Sequence, residues 1–135
     1  MSGKSPITSH VLDTALGLPA SGLGVRLEVL EAGGDAGLRP DSSSELVAGL
    51  RPDDWRVLGT GLTDADGRVS GLLAAGKLEA RTYRLRFETG AYYRAQGRPG
   101  FYPRVDIIFE VVETTAHYHV PLLLSPFGYS TYRGS

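Results

Sequence analysis

The sequence predicts an all-β fold, a two-sheet sandwich with one short helix, in a single domain spanning residues 1–135. Three observations lead to this fold class. Apolar and polar residues alternate with a period of two in several short segments, as in a strand with one buried face. Clusters of Gly and Pro separate these segments. No internal repeat or coiled-coil heptad is visible, and eight short strands fit a sandwich better than an α/β fold.

Three segments show the alternation most clearly. In residues 25–29 the apolar side chains share one face, while Arg26 and Glu28 share the other. Residues 83–88 and 105–111 alternate in the same way. Further strands are predicted for residues 7–13, 56–63, 68–73, 117–124 and 128–133. A chain of this length can bury the inner faces of both sheets without disulfides or metals.

Residues 89–97 are predicted to form the short helix. Thr89 is a candidate N-cap, residues 90–96 would form about two turns, and Gly97 would follow the helix C-terminus. Pro99 prevents the helix from continuing.

Residues 64–67, Asp-Ala-Asp-Gly, have turn chemistry and predict a hairpin turn between two strands. They also resemble the start of a calcium loop, but the third ligand before the glycine and the closing glutamate are missing. The connection of residues 33–54 is longer than the ~12–15 residues usual for an unstructured loop. The sequence of this connection is compatible both with a helical turn in residues 44–50 and with a mobile loop.

The composition excludes several classes of function. The chain has 14 basic and 15 acidic residues, and this balance argues against a surface for nucleic acid or anionic membranes. The absence of cysteine excludes a disulfide framework, a thiolate nucleophile and a Cys-based zinc site. Residues 1–10 lack the apolar core of a signal peptide, and no stretch approaches the roughly 18 apolar residues of a membrane span. We therefore expect a soluble, cytoplasmic protein.

The chain has three histidines, and two of them, His117 and His119, emerge from the same face of a predicted strand. Three roles are open for this pair. A catalytic zinc would need three protein ligands, so His10 or a carboxylate would have to join them. Alternatively, His117 is a solvated residue at a strand end and His119 a hydrogen-bonded structural residue. The third role is a neutral imidazole that acts as a general base on water. Spacing alone does not choose among them.

Pro121 removes a donor from the strand ladder and therefore belongs at an edge, a bulge or a rim, which places His119 near an opening. Two cations are candidates for the same site: Arg68, which directly follows the Asp-Gly turn, and Arg133. The terminal tetrapeptide, residues 132–135 (Tyr-Arg-Gly-Ser), follows a run of apolar and aromatic residues. We expect this terminus to be held in the structure, unlike most chain ends.

The two ends of the chain, SHVLDTALGLPA in residues 9–20 and YHVPLLLSP in residues 118–126 followed by the terminal YRGS, resemble the transthyretin family, specifically its purine-catabolic hydrolases. Residues 9–20 are similar to the family's first strand and turn. Residues 118–126 lead into the terminal YRGS that separates the hydrolases from hormone-carrying transthyretin. The segments 63–68 and 83–97 also match. The resemblance covers nearly the whole chain and implies a transthyretin-like sandwich of two four-stranded sheets.

The resemblance implies hydrolytic opening of the 5-hydroxyisourate ring in urate breakdown. We expect no cofactor, and no metal, since the chain has no cysteine and only three histidines. It implies a catalytic set of His10, Arg68, His119 and Ser135. The residues expected to bind the substrate are His10, Arg68, Tyr132, Arg133 and Gly134. His117 lies outside the matched position and is interpreted as structural. The resemblance further implies a homotetramer, a dimer of dimers, with active sites in the channel where the dimers meet.

The expected chemistry requires an activated water and a cation for developing oxyanion charge. We expect one of His10 and His119 to deprotonate the water, assisted by the other, while Arg68 holds the substrate and stabilises the transition state. Two alternatives are a transthyretin-like carrier of small molecules without catalytic activity, and a structural sandwich that assembles through residues 122–124. The first leaves the polar residues in a channel meant for an apolar ligand, and the second leaves the polar terminus unexplained.

Overall fold

A computed structural model describes residues 5–31 and 54–135. The described residues form nine strands and one α-helix, α1 (Thr89–Ala95), which lies between the sixth and seventh strands. The strands are β1 (Ile7–Asp13), β2 (Leu18–Pro19), β3 (Gly24–Leu30), β4 (Trp55–Leu62), β5 (Arg68–Val69), β6 (Thr82–Phe87), β7 (Val105–Glu110), β8 (Tyr118–Ser125) and β9 (Gly128–Thr131).

The strands form a five-stranded and a four-stranded sheet. The five-stranded sheet has the order β2-β1-β8-β9, with β5 also paired to β1, and the four-stranded sheet has the order β4-β3-β6-β7. The pairing of β1 with β8 is parallel, whereas the other pairings are antiparallel. Since β1 and β8 come from opposite ends of the chain, the five-stranded sheet joins the two segments that carry the candidate site residues.

The core lies between the inner faces of the two sheets. Along β1 the residues alternate between buried and partly exposed, with Ile7 and Val11 in the core. Leu27 and Leu85 from the four-stranded sheet and Leu122 from β8 are also fully buried in this core. Because successive side chains on a strand point to opposite faces, Thr8, His10 and Leu12 lie on the outer face of the five-stranded sheet.

The predicted fold class is confirmed, with differences at strand ends. The five-stranded sheet has one strand more than expected, because β2 is only two residues long and its sequence shows no alternation. The strand predicted for residues 68–73 ends at Val69, and Gly71 has a positive φ of 78°. The predicted β9 ends at Thr131 instead of residue 133. Residue 117 lies just before β8.

The helix begins one residue earlier than predicted, and its predicted N-cap is wrong. Thr89 lies inside α1, and Glu88 occupies the cap position without a side-chain hydrogen bond to the helix. The Thr89 hydroxyl donates instead to the carbonyl of Tyr102, at 3.0 Å, because the side chain is buried against the segment that follows the helix. Gly97 follows the helix with a φ of 64°, as predicted.

The connection predicted for residues 33–54 lies outside the described residues, apart from Asp54, and its candidate helical turn at residues 44–50 lies outside them too. Within residues 5–31 and 54–135, no helix has the length and apolar character needed to cross a membrane.

Candidate active site

All three histidines lie together at one end of the five-stranded sheet. The parallel register of β1 and β8 places Thr8 opposite His119 and His10 opposite Pro121. The rings of His10 and His119 lie with their centroids 6.5 Å apart, and the rings of His119 and His117 are also 6.5 Å apart. His119 is therefore the central member of a row of three imidazoles, and the prediction that His117 and His119 share a face is confirmed.

The hydroxyl of Thr8 lies between two of these rings. Its Oγ1 is 2.8 Å from Nδ1 of His119 and 3.0 Å from Nε2 of His117. Thr8 and His10 are two residues apart on β1, so both side chains lie on the outer face. Since Nδ1 of His119 is bound to Thr8, Nε2 is the ring nitrogen left to act on a substrate or a water.

Arg68 reaches the site through the turn that precedes it. The Asp64 carboxylate accepts hydrogen bonds from the backbone N–H groups of Asp66, at 2.9 Å, and Arg68, at 3.0 Å, so the segment forms a turn as predicted. It does not form the predicted hairpin, because β4 and β5 belong to different sheets. Gly67 has a φ of 76°, and a Cβ there would lie 2.5 Å from the carbonyl oxygen of Val11. Only a glycine lets the turn approach β1 so closely, and this contact seats Arg68 opposite His10.

The side chain of Arg68 is exposed and takes part in no ion pair with any residue in the described ranges. Its positive charge still acts on the site. Burial lowers the pKa of His119, and the neighbouring His10, Arg68 and His117 lower it further. All four causes act in the same direction, so His119 is held neutral at a pH where an ordinary histidine begins to take up a proton.

The terminal tetrapeptide adds a residue to the β8 ladder directly at His119. The backbone N–H of Gly134 donates to the His119 carbonyl at 2.7 Å. A Cβ at Gly134 would lie 2.6 Å from Cδ2 of His119, so only glycine allows the terminus to pack on this ring. The expectation of a held terminus is confirmed by these contacts.

Pro121 explains why β9 ends before the terminal tetrapeptide. The pairing of Thr131 with Leu122 and the bridge of Gly134 to His119 have the same register, which sets Tyr132 opposite Pro121. Proline cannot donate at this pair. Pro121 was expected at an edge, a bulge or a rim; β8 lies inside the sheet, but its pairing with β9 stops at Leu122, next to Pro121.

Arg133 does not join the histidines. Its guanidinium stacks on the Tyr118 ring at 4.3 Å from the centroid, and its Nη2 donates to the His117 carbonyl at 3.4 Å. Tyr118 is 5% exposed and points to the inner face, opposite to His119. Tyr132, which the register sets opposite Pro121, is 57% exposed, while Ser135 is exposed at the end of the chain.

The geometry favours one of the three roles left open for the histidine pair. Among the described residues, no group of three or more His, Asp or Glu side chains is placed to hold a metal ion. A neutral imidazole beside an unpaired guanidinium can instead accept a proton from water while the cation stabilises an oxyanion.

Thr8 is the site residue that was not predicted from the sequence. The signal was present, because Thr8 precedes His10 by two residues on a strand and must share its face. Its contact with His119 depends on the parallel pairing of β1 with β8, which local alternation does not reveal.

The model of the HIUase/Transthyretin family matches residues 7–134 of this chain. The chain belongs to this family. A 5-hydroxyisourate hydrolase from Mus musculus is 44% identical over 132 residues, which cover 98% of this chain and 97% of the mouse protein.

Two solved members of the HIUase/Transthyretin family share the fold. The 5-hydroxyisourate hydrolase of Klebsiella pneumoniae is 32% identical, with a TM-score of 0.70 over 96% of this chain and 98% of that chain. Sea bream transthyretin in complex with thyroxine is 29% identical, with a TM-score of 0.76 over 96% of this chain and 94% of that chain. The fold is thus shared by a hydrolase and by a protein that binds thyroxine, so the site residues must distinguish the two functions.

Proposed function

We propose that this chain is a hydroxyisourate hydrolase, which opens the ring of 5-hydroxyisourate with water to give 2-oxo-4-hydroxy-4-carboxy-5-ureidoimidazoline in urate breakdown. The observation that carries the proposal is the row of imidazoles centred on His119 beside Arg68, whose guanidinium has no ion-pair partner among the described residues. The full-length similarity to the mouse hydrolase supports the same substrate.

In the proposed mechanism, Nε2 of His119 takes a proton from water while the water oxygen bonds to the acyl carbon of the ring. Arg68 stabilises the negative charge that develops on the acyl oxygen. When the ring C–N bond breaks, the imidazolium of His119 returns the proton to the leaving nitrogen. His10, with its ring centroid 6.5 Å from that of His119, assists by orienting the water.

The low pKa of His119 suits this role. The base must be neutral, so activity persists above the folded-state pKa of His119 and is lost as the pH falls through it. Because that pKa is lowered, protonation of His119 itself removes activity only at a lower pH than an ordinary histidine would give.

The terminal tetrapeptide completes the proposed site. Gly134 packs on the His119 ring, and we assign Tyr132 and Ser135 from the same tetrapeptide to the substrate pocket. Arg133 stacks on Tyr118, which fixes the path of the terminus, and its contact with substrate stays part of the proposal.

We propose that the active form is a homotetramer, a dimer of dimers. Strands β7 and β9 are edge strands, and such edges invite pairing with another copy. Several apolar side chains are also exposed in the single chain, including Leu18 and Leu62 at 57% and 69%. Light scattering tests the proposal, because a fully active monomer would mean that the site is not built between subunits. The cytoplasmic location stays a prediction.

The alternative is a carrier that holds a ligand on the same face without chemistry. Purified protein is mixed with freshly generated 5-hydroxyisourate, and the ultraviolet absorbance is compared with the spontaneous decay. The hydrolase predicts faster decay in proportion to enzyme concentration. Decay at the spontaneous rate, together with thyroxine binding by calorimetry, would favour the carrier.

A further inference from the structure

Thr8 connects the central histidine to an exposed one. Its Oγ1 lies 2.8 Å from Nδ1 of His119 and 3.0 Å from Nε2 of His117, while the ring of His117 is open to solvent. A hydroxyl carries one proton, so it can donate to only one of the two rings at a time.

When both rings are neutral, the single hydroxyl proton allows two patterns of hydrogen bonds among His119, Thr8 and His117. In the first, Nδ1–H of His119 donates to Thr8, and the Thr8 hydroxyl donates to Nε2 of His117, so Nε2 of His119 keeps a free lone pair. In the second, Nε2–H of His117 donates to Thr8, and Thr8 donates to Nδ1 of His119, so that the proton of His119 must sit on Nε2. Only the first arrangement gives His119 a proton acceptor on the side away from Thr8.

We propose that Thr8 and His117 are positioning residues that hold His119 in its Nδ1–H tautomer, and that protonation of His117 switches His119 to the tautomer that cannot accept a proton. A protonated His117 has hydrogen on both ring nitrogens, so it must donate to Thr8 and enforces the second arrangement. His119 is then inactive as a base although it is still neutral. This inference rests on the proposed function.

The groups around the two rings are compatible with a relay, that is, the two hydrogen bonds that join His117, Thr8 and His119. The charged and titratable described groups that face the two rings are His10 from β1, Arg68 from β5 and Arg133 from the terminal tetrapeptide. Arg133 binds the backbone carbonyl of His117, so this contact does not occupy the His117 ring. Within residues 5–31 and 54–135, the only hydrogen bond formed by the ring of His119 is the one to Thr8.

The first test compares Thr8→Val, which keeps the shape without the hydroxyl, with Thr8→Ser, which keeps the hydroxyl. Loss of the relay predicts that Thr8→Val lowers kcat by roughly tenfold or more with little change in KM, and that Thr8→Ser restores most of it. Equal kcat values for the two variants would overturn the proposal.

The tautomer itself is read without substrate, from the ring ¹⁵N chemical shifts of His119 by NMR. The proposal expects Nδ1–H in the wild type and in Thr8→Ser at high pH, and a mixed or Nε2–H signal in Thr8→Val, while His10 shows no change. Because this measurement needs no turnover, it decides on the relay even if the hydrolase assignment fails. An Nε2–H signal for wild-type His119 at high pH would overturn the proposal.

The second test replaces His117 with Gln, whose amide can donate or accept at the position of Nε2 but cannot take up a proton. In the wild type, protonation of either His117 or His119 stops the reaction, so kcat/KM at low pH falls with roughly the second power of the proton concentration. In the His117→Gln variant, kcat/KM at low pH falls with about the first power of the proton concentration. Identical acid limbs in the two proteins would contradict the switch, whatever the absolute rates.

Discussion

Strand β1 carries a polar cluster at each end, and the two clusters differ in how their charges are paired. At the C-terminal end, the fully buried Asp13 accepts hydrogen bonds from the Tyr92 hydroxyl at 2.8 Å and from Nη1 of Arg98 at 2.9 Å. At the other end, His10 and His119 stand beside Arg68, whose guanidinium pairs with no carboxylate among the described residues.

The pKa shifts express the same difference. Burial raises the pKa of Asp13, but the hydrogen bonds from Arg98 and Tyr92 outweigh it, and the net pKa is lowered. At His119, burial and the positive neighbours all lower the pKa. The hydrogen bonds of the Asp13 cluster fasten helix α1 to the sheet, whereas the His119 cluster holds a neutral imidazole beside a guanidinium that pairs with no carboxylate among the described residues.

The largest effect is expected from removal of the proposed base. We predict that His119→Ala lowers kcat by about 10²- to 10⁴-fold, because a general base contributes on that order. His10→Ala should lower it by at least about tenfold. Stopped-flow ultraviolet assays measure both, with circular dichroism as the control for folding. Near-normal turnover in both variants would refute the assignment of the site.

A second prediction concerns the terminal tetrapeptide, which packs on His119 through Gly134. Deletion of residues 132–135, or a tag after Ser135, should lower turnover by roughly tenfold or more, because the segment that packs on the His119 ring is then lost or displaced. An equal extension before Ser5 is the matched control. If the two tagged proteins turn over substrate equally fast, the tetrapeptide is not part of the active site.

At the paired end of β1 the expected effect is on stability. Tyr92→Phe removes one hydrogen bond to the buried Asp13 carboxylate and should lower the free energy of unfolding by about 1.5–3 kcal/mol. Urea denaturation measures the change, and kcat should stay within about twofold of wild type. A large loss of kcat in the folded variant would mean that the two clusters are not separate in function.

The smallest effect is expected from metal removal. Dialysis against a chelator should leave turnover unchanged, because the proposed chemistry needs only imidazole and guanidinium groups. A loss of activity that zinc restores would revive the metal interpretation of the histidine pair.

Local pattern was enough to predict most strands and the shared face of His117 and His119, because strand alternation fixes both. The Asp64–Gly67 turn was likewise readable from its residue types. The meeting of His10 with His119 was implied by family resemblance but not by local pattern, since it depends on a parallel pairing between the two ends of the chain. Thr8 stayed unseen for the same reason.

Side-chain direction was the other part that the sequence did not predict. The stacking of the Arg133 guanidinium on the inward-facing Tyr118 was not predicted, and its contact with substrate stays a prediction. Thr89 was expected to cap a helix, yet its hydroxyl binds the Tyr102 carbonyl. At Thr89 a tertiary contact outweighed the local capping preference.

The most direct test of the contrast between the two clusters uses the two arginines that flank β1. Arg68→Gln and Arg98→Gln remove the same charge, and kcat and melting temperature are measured for both proteins side by side. The free cation at the His119 cluster predicts that Arg68→Gln lowers kcat by about 10²- to 10³-fold with an unchanged melting temperature. The paired cation predicts that Arg98→Gln lowers the melting temperature with kcat nearly unchanged. The reverse outcome, or equal losses of kcat in both variants, would contradict the assignment of 5-hydroxyisourate hydrolysis to the His119 end of the strand.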